Sequence, residues 1–198
     1  MIWKELIDLL KSSESEYDIN SKRKEIAEWL PCVVRMFEYN QENSYHQYDL
    51  WLHSVHTVLE IPKSATDDML YLSALLHDIG KPDCKCNGKN ANDTKAHYYG
   101  HPEKSEQIVR DEVIPYLISK GVLLLDDDIK RLLYYVRFHD DRVPLTEETF
   151  SRHLSLVSIV VFKNLIMLQI ADAKAHNQFP LVEERIKVCS DWLQRLNI

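Results

Sequence analysis

Apolar residues recur along most of this chain at intervals of three and four, the spacing that gathers side chains on one face of an α-helix. Ile2, Trp3, Leu6, Ile7, Leu9 and Leu10 predict a first helix, and the Ser/Glu/Asn-rich stretch from Ser12 to Ser21 reads as a surface connection. A helix follows through Ile26, Trp29 and Leu30, with Pro31 starting or bending the next one toward Met36 and Phe37. Tyr48 to Ile61 predicts another, stopped before Pro62. Asp67 and Asp68 open a helix that ends at Asp78, with Gly80 as its stop and Pro82 just beyond. From Asp83 to Gly100 there is no periodicity, only a long polar loop. Pro102 suits the first position of a helix running through Ile108, Val109 and Val113, which Pro115 kinks. Asp126, Asp127 and Asp128 cap a helix ending near His139. Segments around Phe150 to Leu156, Val157 to His176 and Leu181 to Leu196 complete the pattern. No run of short alternating strands interrupts it, so the expected fold is all-α, a single helical domain over residues 1–198.

Composition narrows the function classes. A formal net charge of −7 argues against a protein that grips nucleic acid non-specifically, because phosphate binding draws on Lys and Arg. It leaves room for a small phosphorylated substrate held by a few basic groups near a metal. The first helix carries Lys4, Glu5 and Asp8 within its apolar pattern and is no secretory signal. The greasiest stretch, LSLVSIVVFKNLIMLQIA, is broken by Lys163 and Asn164 and reads as a core helix rather than a membrane span. Cys32, Cys84, Cys86 and Cys189 lack zinc-site spacing, so free thiols in a reducing cytoplasm are expected.

The chemistry concentrates where apolar helices carry polar residues on their inner faces. His77 and Asp78 sit side by side at the end of LYLSALLHDIGKP, where buried polar groups need partners. They either cap and pair locally or hold a divalent cation. Asp172 lies one turn from Leu168 and two from Leu165, on a helix otherwise apolar around most of its circumference. His139 shares a face with Leu132, Tyr135 and Val136, and His53 follows Leu50 by one turn. His101 opens another helix in a Gly-His-Pro junction. His46, His56, His97, His153 and His176 are read as packing or surface histidines, and Tyr98 and Tyr99 as packing aromatics.

The order His53, His77-Asp78, Asp172 resembles the HD-domain superfamily of metal-dependent phosphohydrolases. The segments ALLHDIGKP, YYGHPEKSEQIV, VRFHDDR and IADAKAHN look most like the HD domain of bacterial CCA-adding tRNA nucleotidyltransferases, over roughly Tyr48 to Asn177. The resemblance implies that His53, His77, Asp78 and Asp172 are primary metal ligands. It implies further that His101 and His139 help hold a second ion, with Asp78 bridging. Manganese, iron, cobalt, nickel, zinc or magnesium all suit this mixed donor set, as one ion or two. Only about fifty residues precede His53, and they contain no nucleotidyltransferase motif, so a stand-alone HD protein is expected.

Such a site would activate water for attack on a phosphate ester, with the metal neutralising the phosphoryl oxygens. Lys81, three residues after Asp78, and Arg142, three after His139, are placed to reach those oxygens; Asp78, Lys81 and Arg142 are the expected catalytic residues. Asp140 and Asp141 either orient His139 or face solvent. The leading expectation is a phosphomonoesterase or phosphodiesterase acting on a nucleotide or small phosphate ester. The alternative is a non-catalytic module that binds tRNA or a nucleotide.

Overall fold

A computed structural model describes residues 1–88 and 95–196. The chain opens with α1 (Trp3–Ser12), α2 (Glu16–Asn20) and α3 (Arg23–Trp29), then a 3₁₀ segment, Pro31–Met36, begun by the proline. The expected surface connection between Ser12 and Ser21 therefore contains a helix. Five residues are too few to show periodicity, and burial of Ile19 against the core decides the outcome.

Next come α4 (Leu50–Glu60) and α5 (Asp68–Leu76), whose N-caps Asp49 and Asp67 accept from the backbone N–H groups of Leu52 and Met69. Helix α5 ends two residues before Asp78, so the His77–Gly80 segment is a turn. Gly80 is not a left-handed helix stop; its φ of −82° is ordinary, and it caps the short α6 (Lys81–Cys84). A glycine is needed there for a different reason. A Cβ would lie 2.6 Å from the Ser105 backbone nitrogen and 2.9 Å from the His101 carbonyl oxygen.

The expected long loop is thus shortened by α6 and by an antiparallel pair, β1 (Cys86–Asn87) with β2 (Ala96–His97); its residues 89–94 lie outside the described ones. Helix α7 (His101–Ile108) begins one residue earlier than Pro102, after Gly100 in the left-handed region at φ 77°. The kink expected from Pro115 is a π-helical segment, Val109–Val113, leading into α8 (Ile114–Ser119). Proline lacks the N–H that would continue the ladder, and the wider turn absorbs the gap.

The remaining helices are α9 (Asp126–Phe138), α10 (Glu147–Leu154), α11 (Ile159–Lys174) and α12 (Pro180–Leu196). Among the described residues the fold is all-α apart from the two short strands. Helix α11 packs against α4, α5, α9 and α12, and α5 also packs against α4 and α9. One apolar cluster runs from Leu6 to Leu196, with Trp51, Tyr71, Tyr135, Phe162 and Trp192 as its largest members. A half-buried polar knot ties three helices at its edge: Asp67 accepts from Tyr135 Oη at 2.7 Å and Asn164 Nδ2 at 3.3 Å, and pairs with Arg131. No single described helix is long and apolar enough to cross a membrane. The four cysteines are free, as expected.

Candidate metal centre

Packing α4, α5, α9 and α11 together brings their polar inner residues to one end of the core. His53 comes from the middle of α4, and Asp172 from the last turns of α11. His77 and His139 stand just past the ends of α5 and α9, and His101 is the first residue of α7. All but His101 are buried.

Asp78 is the hinge of the arrangement. Its Oδ2 lies 3.3 Å from Nε2 of both His53 and His77. Its Oδ1 lies 3.1 Å from His101 Nε2 and 3.4 Å from His139 Nε2. Asp172 Oδ1 joins the first half, 3.1 Å from His53 and 3.6 Å from His77. One carboxylate therefore faces two pairs of imidazole nitrogens, one pair on each oxygen.

Backbone carbonyls aim three of these rings, two of them at helix ends. The carbonyls of a last helical turn lack intrahelical partners. His77 Nδ1 donates to Ala74 O and His139 Nδ1 to Val136 O, each at 2.8 Å, and His101 Nδ1 donates to Tyr98 O at the same distance. With Nδ1–H committed, each ring turns its Nε2 inward.

That convergence demands a positive partner. Nε2 of His101 and His139 are 3.1 Å apart, with both Nδ1 atoms already donating elsewhere. His77 Nε2 is buried with no hydrogen-bond partner beside two carboxylates. Either a proton or a cation must sit among these lone pairs. Nitrogen and oxygen donors drawn from several rigid elements suit a divalent transition ion. Three trios among the described residues, His46–His53–His176, His53–His77–Asp172 and His77–Asp78–His139, each have ligand atoms within 4.8 Å of one another.

The charges follow the geometry. Burial alone raises a carboxyl's pKa, yet Lys81 and His77 hold Asp78 well below the usual carboxylate range. Asp172 is likewise held low against burial by His176, His53 and His77. Burial disfavours charge on His77, but Asp78 and Asp172 overcome it and push the ring up to about 10. In His139 burial wins and the pKa falls, with Asp78 opposing.

Lys81 is buried, its Nζ 2.6 Å from Asp78 Oδ2, donating to Gln41 Oε1 at 2.9 Å and 3.5 Å from His46 Nε2. It also lines a cavity of about 460 Å³ that opens onto the cluster. Arg142 is exposed and is not among the lining residues, so its expected phosphate contact has no geometric support. Arg185 on α12 lies there instead, 2.6 Å from His139 O and 3.5 Å from Asp172 Oδ2. Asp140 and Asp141 do not orient the His139 ring; Asp140 faces solvent, Asp141 is half-buried, and both are paired. Asp140 pairs with Arg185 at 3.1 Å and Asp141 with Arg152 at 2.6 Å.

Two histidines read as bland belong to this centre. His46 and His176 face each other at 4.5 Å between ring centroids and both pack on His53. Burial and then Lys81 lower the His46 pKa, and burial brings His176 down to about 4. The spacing of His176, one turn beyond Asp172, was the available signal; His46 and Gln41 sit in non-periodic chain and gave none. His97 lines the cavity and stacks on the exposed Tyr99, whereas Tyr98 is buried and donates to Gln41 O. His56 packs on Tyr48 and pairs with Glu16, and His153 is a core residue bonded to Tyr134, as expected of both.

No curated protein matches the chain. A family model described as HD domain matches residues 45–184, a span that includes His53, His77, Asp78, His101, His139 and Asp172. An all-α scaffold, a buried histidine–aspartate cluster suited to divalent ions and a match over more than half the sequence agree: the chain belongs to the HD-domain family, within the superfamily of metal-dependent phosphohydrolases.

Proposed function

We propose that this chain hydrolyses a phosphomonoester or phosphodiester bond in a nucleotide or another small phosphate ester, using two divalent ions. The observation that carries this reading is the division of Asp78, with one oxygen facing His53 and His77 and the other facing His101 and His139. When bound, divalent ions supply positive charge against the phosphoryl oxygens and lower the pKa of a coordinated water. The protein's own groups do the rest. Backbone carbonyls fix the rings of His77, His101 and His139 through Nδ1. Gln41 and His46 hold the Lys81 ammonium beside Asp78, where it offsets carboxylate charge and stands at the cavity wall for an entering phosphate. A cavity of about 460 Å³ is of the size that encloses small-molecule ligands. The small partner is therefore a phosphorylated metabolite, and manganese, iron, cobalt, nickel, zinc and magnesium are the ions to test.

Elemental analysis of the purified protein and a screen of nucleotides, cyclic phosphates and other phosphate esters test the reading. His77→Ala and Asp78→Ala are expected to abolish metal-dependent hydrolysis, and undiminished turnover in both would sink it. Salt-dependent tRNA binding by the metal-free protein, with no turnover on any ester, would instead favour a binding module like the tail of a CCA-adding enzyme.

A further inference from the structure

The C-terminal helix supplies a residue that neither the ligand set nor the matched family segment includes. Arg185 lies one position beyond that segment, on α12. Its Nη2 donates to His139 O at 2.6 Å, and its Nη1 lies 3.1 Å from Asp140 Oδ1 and 3.5 Å from Asp172 Oδ2. The two oxygens of Asp172 are thereby divided: Oδ1 faces His53 and His77, and Oδ2 faces the guanidinium.

His139 is equally constrained. Its ring hooks back to Val136 O, and its own carbonyl, left over at the end of α9, is taken by Arg185. Gln169 on α11 holds the flanking carbonyls, Phe138 O at 2.9 Å and Asp141 O at 3.0 Å. The turn that presents His139 is thus clamped from two helices. Arg185 is the clamp that also grips a carboxylate of the opposite half of the centre.

We propose that Arg185 is a positioning residue that fixes Asp172 and His139 relative to each other and so sets the affinity of the centre for divalent cations. The inference rests on the reading of the cluster as a metal centre. A planar fork suits the role because its nitrogens are held rigidly relative to one another, so that a carbonyl and a carboxylate bound to it keep a fixed separation. Groups that orient ligands from behind typically account for 10–100-fold in metal affinity.

The test is titration of the chelator-stripped full chain with Co²⁺ or Mn²⁺, without substrate, for the native sequence, Arg185→Gln and Arg185→Lys, with circular dichroism to verify folding. The expected result is a 10–100-fold loss of cation affinity in Arg185→Gln and a smaller loss in Arg185→Lys. Native affinity in a folded variant, with any defect confined to the substrate KM, would make Arg185 a phosphate contact and overturn the proposal. Should Arg185→Gln fail to fold, Arg185→Lys decides: unchanged affinity there overturns the proposal. Failure of the native chain itself to bind cations overturns the metal-centre reading, and this inference with it.

Discussion

Replacing Gly80 by Ala probes the packing that brings His101 to Asp78. The backbone at Gly80 is acceptable to alanine, at φ −82°, so any penalty comes from contact alone. The added methyl would meet the Ser105 nitrogen at 2.6 Å and the His101 oxygen and Lys104 carbonyl carbon at 2.9 Å, all backbone atoms of α7. A backbone cannot rotate away as a side chain can, so the start of α7 must retreat by roughly 0.8 Å to reach ordinary contact. Overpacking of this kind costs about 1–3 kcal/mol. Retreat also weakens the 2.9 Å bond from Gly80 N to the buried Ser105 Oγ, for about 1 kcal/mol more. Alanine recovers about 0.4–1 kcal/mol by restricting the unfolded chain. The net expectation is a destabilisation of about 1–3.5 kcal/mol, or roughly 2–14 °C in Tm for a chain of this size. Because His101 is the first residue of α7, the same retreat carries its Nε2 away from Asp78 Oδ1, now 3.1 Å distant. Urea denaturation would measure the stability, and cation stoichiometry the displacement. Ser105→Ala is the control, since it removes only the hydrogen bond. A Gly80→Ala protein within about 0.5 kcal/mol of native stability, below the usual range for overpacking, and binding the same number of ions would refute the packing argument.

His101→Ala removes one imidazole from the Asp78 Oδ1 half and leaves the His53–His77–Asp172 trio intact, so if the proposed two-ion centre is correct, elemental analysis should show one ion retained in the variant against two in the native protein. Asp67→Ala deletes the cap of α5 and the half-buried acceptor for Tyr135 and Asn164; a loss of about 2–3 kcal/mol in urea denaturation is expected, against about 1 kcal/mol for Tyr135→Phe. His153 is buried beside Tyr134, Arg152, Asp141 and Phe162, and burial, reinforced by Arg152, depresses its pKa from 6.5 to about 4. The unfolded chain therefore takes up a proton that the folded one refuses. The stability involved is fully present above pH 6.5 and is lost as pH falls toward 4, at most about 3 kcal/mol. His153→Gln should flatten the fall of urea-unfolding stability over that window, and an unchanged slope would contradict the assignment.

The sequence by itself determined the helices and the polar positions that could not be idle among them. Periodicity placed α1, α4, α5, α9, α11 and α12, because an amphipathic helix writes its buried face into the order of its residues. His53, His77, Asp78, His139 and Asp172 stood out for the same reason: each interrupts an apolar face where an unpaired polar group is costly. Only the tertiary structure decided what meets what. The short α2 forms against the distant α4, β2 is held by Ala96 N donating to Glu42 O as well as by β1, and Gly80 is fixed by a helix that begins some twenty residues later. His46 and Gln41 reach Lys81 from chain without periodicity, and Arg185 sits on an amphipathic helix where nothing local sets it apart from Arg142 or Arg137. Local pattern reports which face a residue is on. The partner on that face depends on how helices cross, which is a property of the whole packed core.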